Sequence, residues 1–339
     1  MIDLRDQSLT ELKELFVSLG EKPFRAGQLF RWIARGATDF AEITDLPAPL
    51  REKLTQTAQL TNMKIKKVQV SAKDGTRKYL FQLQDGNTVE TVMMKYEYGN
   101  SICISSQVGC AMGCNFCASA IGGLERNLTA GEMVGQLLEV QRESGEKINH
   151  IVVMGTGEPL ANYSNLSKFI RLVHEKDGLN IGLRNITVST CGLVSQIDRF
   201  ARDFPQVNLA ISLHAPTDEL RVAMMPINEK YPLDALLTAC KKYIEQTGRR
   251  ITFEYALVEG VNDSIEMIDL LAKKLRGMLC HVNLIPLNPV GETGLVGTKR
   301  KLAKDLQARL ESKGISATVR RELGGDIDAA CGQLRQNLK

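Results

Sequence analysis

The chain predicts an α/β fold, a partial (β/α)6 barrel that stays open, with a small N-terminal helical domain and a β-meander linker ahead of it. Three observations point there. From about residue 100, short apolar, β-branched runs alternate with amphipathic helical stretches. Before that, three strand-like runs are punctuated by Asp74-Gly75 and Asp85-Gly86. Earlier still, apolar residues recur at helical spacing.

The expected divisions are a helical unit over 1–60, the meander over 61–98, the barrel core over 99–326 and a C-terminal tail over 327–339. In the first unit Leu12, Leu15, Phe16 and Leu19 share one helical pattern, and Leu29, Phe30, Trp32 and Ile33 another; Pro47 and Pro49 mark a break before a third helix. The meander strands are Met63–Ser71, Arg77–Leu83 and Thr88–Lys95. The core strands are Ser101–Ser106, His150–Met154, Asn185–Thr190, Asn208–His214, Ile251–Val258 and His281–Leu287, with helices such as Thr129–Gln141 and Leu233–Glu245 between them. Six βα units are too few to close an eight-stranded barrel, which is why the barrel is expected to be open. A last strand, Ser316–Arg321, leads into the tail.

With 339 residues, 43% of them hydrophobic, the chain can bury a substantial core. The start, Met1-Ile2-Asp3-Leu4-Arg5-Asp6, does not read as a signal peptide, and no apolar run approaches a membrane span. The expectation is a soluble cytoplasmic protein. The net charge of +4 permits nucleic-acid binding without demanding it. Eight cysteines in a chain of this length do not form a disulfide scaffold.

Three of those cysteines stand close together, Cys110, Cys114 and Cys117, in a C-x3-C-x2-C run. Three thiolates can ligate three irons of a cubane and leave the fourth iron for a small molecule. Structural zinc sites close with four ligands and usually show a paired C-x2-C or histidine partners, which this chain lacks. The spacing resembles the radical S-adenosylmethionine (SAM) signature, in which the amino and carboxylate groups of SAM fill the open corner. Polar and Gly-rich residues also gather where the core strands end: Gly155-Thr156-Gly157-Glu158-Pro159, Ser189-Thr190-Cys191-Gly192, Ser212-Leu213-His214-Ala215-Pro216 and Asn288-Pro289. In barrels of this type the chemistry sits at that rim. Ser189, His214 and Asn288 are suited to hydrogen-bond a nucleoside.

The wider pattern resembles the RlmN/Cfr family of radical-SAM RNA adenine methyltransferases. The residues that carry the resemblance include Phe24-Arg25-Ala26-Gly27-Gln28, Val89-Glu90-Thr91-Val92, the run from Cys103 to Cys110, Arg126-Asn127-Leu128-Thr129, Gly157-Glu158-Pro159-Leu160, Pro226-Ile227-Asn228 and the run from Asp326 to Leu334. Ala118-Ser119, Gly122-Gly123 and Arg126-Asn127 look more like the carbon-2 branch than the carbon-8 branch. Thr156 departs from the family pattern, where many relatives carry Met.

The resemblance implies a [4Fe-4S] cluster on Cys110, Cys114 and Cys117, and SAM held by Gly157, Glu158, Ser189, Ser212, Leu213, His214 and Asn288. It implies methylation of adenosine 2503 of 23S rRNA and of adenosine 37 of tRNA, with two SAM per turnover. Carbon 2 of adenine is not a nucleophile, so a radical route is required. In that route Cys331 carries the methyl group, Glu90 accepts the ring proton, and Cys103 resolves a protein–RNA adduct through a transient disulfide with Cys331. Implied partners are 23S rRNA, tRNA and a reductase or flavodoxin-type electron donor, with a monomeric protein. The N-terminal unit and a basic hairpin, Lys64, Lys66, Lys67, Arg77 and Lys78, are the expected RNA grip. Two rivals are carbon-8 methylation of the same rRNA adenine and a non-catalytic RNA-binding protein with a structural metal.

Overall fold

The computed structural model describes residues 1–330 and 332–334. Helices α1 (Leu9–Ser18), α2 (Phe24–Ala34) and α3 (Ala48–Thr57) build the N-terminal unit. Ser8 starts α1 with a capping box: its hydroxyl accepts from Glu11 N, and Glu11 Oε2 accepts from Ser8 N at 2.6 Å. Leu12 and Phe16, one turn apart, are fully buried against the second helix's Ala26, Leu29, Phe30 and Ile33. The short strands β1 (Ile2–Asp3) and β2 (Ala58–Gln59) pair in parallel and bring the ends of the unit together.

Four antiparallel strands come next: β3 (Lys64–Val70), β4 (Arg77–Gln82), β5 (Thr88–Tyr96) and β6 (Gly99–Ile104). Gly75 and Gly86 sit at φ +73° and +86° in the two Asp-Gly turns, a region that favours glycine. The stretch 61–98, expected as a linker, is built into the main sheet. Strand β6 pairs antiparallel with β5 (Val92 opposite Cys103), and its other edge is taken in parallel (Cys103 opposite Val152). The meander thereby covers a sheet edge that an open barrel would leave bare.

The next elements are β7 (Gln107–Gly109) and β8 (Leu124–Asn127), an antiparallel pair not anticipated from sequence because each strand is so short. The barrel then runs α4 (Ala130–Ser144), β9 (Ile148–Val153), α5 (Tyr163–His174), β10 (Ile186–Thr190), α6 (Val194–Asp203), β11 (Asn208–Ser212), α7 (Asp218–Met224), α8 (Leu233–Thr247), β12 (Ile251–Leu257), α9 (Ile265–Leu275), β13 (Cys280–Pro286), α10 (Arg300–Ser312) and β14 (Ala317–Val319). The ten-stranded sheet has the order β14-β13-β12-β11-β10-β9-β6-β5-β4-β3, parallel from β14 to β6. Its parallel strands read as apolar runs because helices cover them: Ile151, Val188, Ile211, Phe253 and Leu284 are fully buried. No helix among the described residues is long and apolar enough to cross a membrane.

Arg5 fastens the N-terminal unit to the barrel. Its guanidinium is buried and donates to Glu139 Oε1 on α4 at 3.5 Å, to the Ala37 carbonyl at 3.4 Å and to Asn62 Oδ1 at 3.0 Å. Nearby, Asp3 Oδ1 accepts from Arg5 N at 3.0 Å and Thr61 N at 3.3 Å. Burial pushes the Asp3 carboxyl up to about 6, against the lowering effect of those two amides. The folded state therefore holds this proton more tightly than the unfolded chain, so Asp3 costs stability as pH rises from 3.8 through 6. Asp3→Asn keeps the oxygen acceptor and removes the charge. It is expected to stabilise the protein at pH 7.5 by about 1–2 kcal/mol, with the gain fading below pH 4 in denaturant titrations across pH.

Candidate active site

The cysteine loop leaves β7 and returns in β8. Gly109, at φ +73°, lies where a Cβ would come within 2.0 Å of the Gly123 carbonyl oxygen. That carbonyl accepts from Cys110 N at 2.9 Å, so the closure of the loop begins at the first thiol. Asn115 braces the middle of the loop against α7: its N donates to Met224 O at 3.1 Å and its Nδ2 to Ala223 O at 2.9 Å. Phe116 packs edge-on against the His214 ring, with centroids 4.9 Å apart.

Cys110, Cys114 and Cys117 line one cavity of about 550 Å³. Gly157, Glu158, Ser189, Ser212, His214 and Asn288 line the same cavity, and so does Cys103. Leu213 is buried beside it and works through its backbone: its N donates to Glu254 O at 3.0 Å, and its carbonyl accepts from Arg221. Glu90 is buried on β5, where Lys78 Nζ stands 3.4 Å from its Oε1. Cys331 lies outside the described residues. On either side of it, Ala330 and Gly332 line the cavity.

The cavity wall is held by buried polar bonds. Gly157 takes φ +107°, and a Cβ there would come within 2.6 Å of Gln107 Cβ. Gln107 Oε1 accepts from Glu158 N at 2.8 Å. The Glu158 carboxylate accepts from Leu160 N at 3.0 Å and Cys191 N at 2.8 Å, stapling the turn after β9 to the end of β10. Burial pushes this carboxyl up, while those amides pull it down. Thr156 is buried, 3.4 Å from Ser119 Oγ, so the position that departs from the family pattern bridges to the cysteine loop. His214 sits at φ +57° with Nδ1 accepting from Ala256 N at 2.9 Å. Burial, then Arg221, lowers its pKa to about 3, so the ring is neutral and Nε2 carries the proton.

Sequence reasoning passed over three residues that shape this wall. Arg221 is fully buried and donates to the carbonyls of Cys191 at 2.6 Å, Leu213 at 3.1 Å and Ser212 at 3.1 Å, tying β10 to β11. Asn262 donates to the carbonyls of His214 at 2.8 Å and Ala256 at 2.6 Å. Gln136 on α4 accepts from Ser105 N at 2.9 Å and donates to Ser105 O at 3.0 Å. In one-dimensional order each reads as an ordinary helix or loop residue. The expected RNA grip also divides. Lys64, Lys66 and Lys67 are exposed on the outer strand β3, but Arg77 pairs with Glu143 at 3.1 Å and Lys78 is buried. Arg300, Arg320 and Arg321, which the expected grip did not include, line the cavity.

The donor set fits an iron–sulfur cluster. Burial pushes the Cys110 thiol up to about 11, and Cys114 and Cys117 are raised as well. Thiolates in such a place need a strongly cationic centre, which an iron cluster supplies. Glycine at 157 lets the turn pass Gln107 at φ +107°, where a side chain would meet the Gln107 Cβ and backbone N. Gly157→Ala is therefore expected to destabilise the fold by about 1–3 kcal/mol, read by denaturant titration. Unchanged stability would show that the turn after β9 can shift to admit a side chain.

Comparison with known proteins divides the chain along similar lines. Residues 2–60 match the ribosomal RNA large subunit methyltransferase N-terminal domain, and residues 104–271 match the radical SAM superfamily. The probable dual-specificity RNA methyltransferase RlmN of Desulforamulus reducens is 53% identical over 339 residues, covering 100% of this chain and 97% of the relative. Its counterpart in Geobacillus thermodenitrificans is 54% identical over 332 residues, covering 97% of this chain and 91% of the relative. The crystal structure of a radical SAM methyltransferase from Sphaerobacter thermophilus matches with a TM-score of 0.95 at 47% identity, with 99% of each chain covered. With a barrel, a thiol-lined cavity and relatives of this closeness, the chain belongs to the RlmN family of radical SAM methyltransferases, which work with a [4Fe-4S] cluster and SAM.

Proposed function

We propose that this protein methylates carbon 2 of adenine in 23S rRNA and in tRNA, with Cys331 as the methyl carrier. The observation that carries the reading is the meeting of three thiols, the Gly157–Glu158 turn and the residues flanking Cys331 at one cavity. Cys110, Cys114 and Cys117 would hold the cluster. Gly157, Glu158, Ser189, Ser212, Leu213, His214 and Asn288 would hold SAM. Bound together, cluster and SAM supply a carbon radical able to take hydrogen from a methyl group.

The chain's own residues do the rest. The Cys331 thiolate takes a methyl group from SAM by displacement, and S-adenosylhomocysteine leaves. After hydrogen removal, the methylene radical on Cys331 adds to carbon 2 of adenine and joins protein to RNA. The unpaired electron of this adduct would pass to the oxidised cluster, and Glu90 accepts the ring proton. The Cys103 thiolate attacks the sulfur of Cys331 and forms a disulfide; the bond from that sulfur to the methylene carbon breaks, and the carbon takes up a proton as the methylated base leaves. Support for that last pair is positional: Cys103 lines the cavity that Ala330 and Gly332 also line. The disulfide is then reduced for the next turnover, and a flavodoxin-type donor supplies electrons.

The adenosine must leave its stack to reach this cavity. Arg300, Arg320 and Arg321 are placed to meet its phosphates, and Lys64, Lys66 and Lys67 offer a second positive strip. Because 23S rRNA and tRNA are cytoplasmic molecules, the protein would meet them there, working as a monomer.

Reconstituted, oxygen-free protein given 23S rRNA fragments and tRNA separately is expected to make 2-methyladenosine, identified by nucleoside mass spectrometry. Exclusive 8-methyladenosine would replace the proposal with carbon-8 chemistry, and no methylated base at all would end it. Cys331→Ala is expected to abolish methylation while retaining wild-type iron; iron loss would move Cys331 into the ligand set. Cys103→Ala is expected to accumulate a protein–RNA crosslink, and free product at the normal rate would refute its role.

A further inference from the structure

We propose that Lys78 is a positioning residue that holds the Glu90 carboxylate for proton removal and ties it to the tail carrying Cys331. The inference rests on the proposed roles of Glu90 and Cys331 and names the group that serves both.

Lys78 lies on β4 with only 8% of its surface exposed. A lysine so far inside needs partners for its charge. Its Nζ stands 3.4 Å from Glu90 Oε1 and donates to the Asp328 carbonyl at 3.1 Å. The first contact gives the buried carboxylate a counter-charge and fixes the direction of one oxygen. The second holds the tail three residues before Cys331. Asp328 is at φ +51°, a left-handed conformation unusual for a residue with a side chain, and its carbonyl is the one that Lys78 grips.

Neighbouring contacts make the same connection. Asp326 accepts from Ser71 Oγ at 2.7 Å and from Ala72 N at 3.2 Å, and Asp74 Oδ2 accepts from Gly324 N at 2.9 Å. All three come from the turn between β3 and β4, immediately ahead of Lys78. Beyond Cys331 the tail is bound to the cysteine loop, where Ala118 N donates to Gly332 O at 2.9 Å. Leu323, Ile327, Ala329 and Leu334 pack on Val92 and Met94 of β5, the strand that carries Glu90, with Cys103 beside them. Base, resolving thiol and carrier tail therefore share one sheet face, and Lys78 is the cation inserted between base and tail.

The test is single-turnover chemistry with the full chain, reconstituted cluster, SAM and a 23S rRNA fragment deuterated at carbon 2 of the target adenine. Three quantities are measured: methyl loading of Cys331 by peptide mass spectrometry, crosslinked adduct by gel, and free methylated RNA. Lys78→Met is expected to load Cys331 within twofold of wild type, because Ser71, Ala72, Asp74 and Ala118 still hold the tail, and to accumulate adduct. It should release product at least a hundredfold more slowly, with a larger deuterium isotope effect on release. Lys78→Arg should recover most of that rate. The double variant Lys78→Met/Glu90→Gln, which removes both buried charges, should fold and be no slower than Glu90→Gln alone. Loss of loading in step with release, or additive losses in the double variant, would reduce Lys78 to a structural anchor and overturn the proposal. Normal release by Lys78→Met with slow release by Glu90→Gln sinks this inference alone. Normal release by Glu90→Gln sinks the proton-acceptor reading beneath it.

Discussion

One strand serves two neighbours of opposite sense, and the site depends on it. β6 runs antiparallel to β5 and parallel to β9, with Cys103 opposite Val92 on one side and Val152 on the other. Antiparallel pairing needs only a tight turn, so the meander could be added ahead of the barrel at little cost in chain length. Parallel pairing commits the later strands to crossovers and gathers their ends at one rim. Because β6 obeys both rules, the meander face bearing Glu90 continues into the wall bearing the cysteine loop. A separate linker domain would leave those two surfaces free to move apart.

The polar groups of the rim are buried and held by the backbone. Glu158, His214, Arg221 and Asn262 are all buried, and each makes hydrogen bonds to main-chain amides or carbonyls. Fixed dipoles in such a place act strongly on any charge that enters, because little solvent is present to screen them. The same burial keeps His214 neutral and raises the three thiols. A cluster and a sulfonium cofactor bound at this rim would meet a wall already arranged for charge.

Much of this was legible in the linear order. Asp-Gly turns announced the meander, alternation announced the parallel strands, and cysteine spacing announced the metal chemistry. Those signals are local, set by one turn or one strand. What escaped the sequence is non-local. Arg221 reads as a helix residue, and only the fold shows it gripping the ends of two strands. Lys78 reads as half of a basic pair beside Arg77, yet strand alternation sends it inward to Glu90. The β7–β8 pair was missed because three or four residues carry too little periodicity to be read.

The far edge of the sheet carries a consequence of its own. Among the described residues β3 has one neighbour, β4, so its outer backbone groups resemble a template on which a foreign strand could form. Its register slips between Ile65 and Lys67, and Lys64, Lys66 and Lys67 are exposed along it. A kinked, lysine-studded border repels a second copy of itself. Whatever those lysines do for nucleic acid, they also guard a ten-stranded sheet against fibrous self-association.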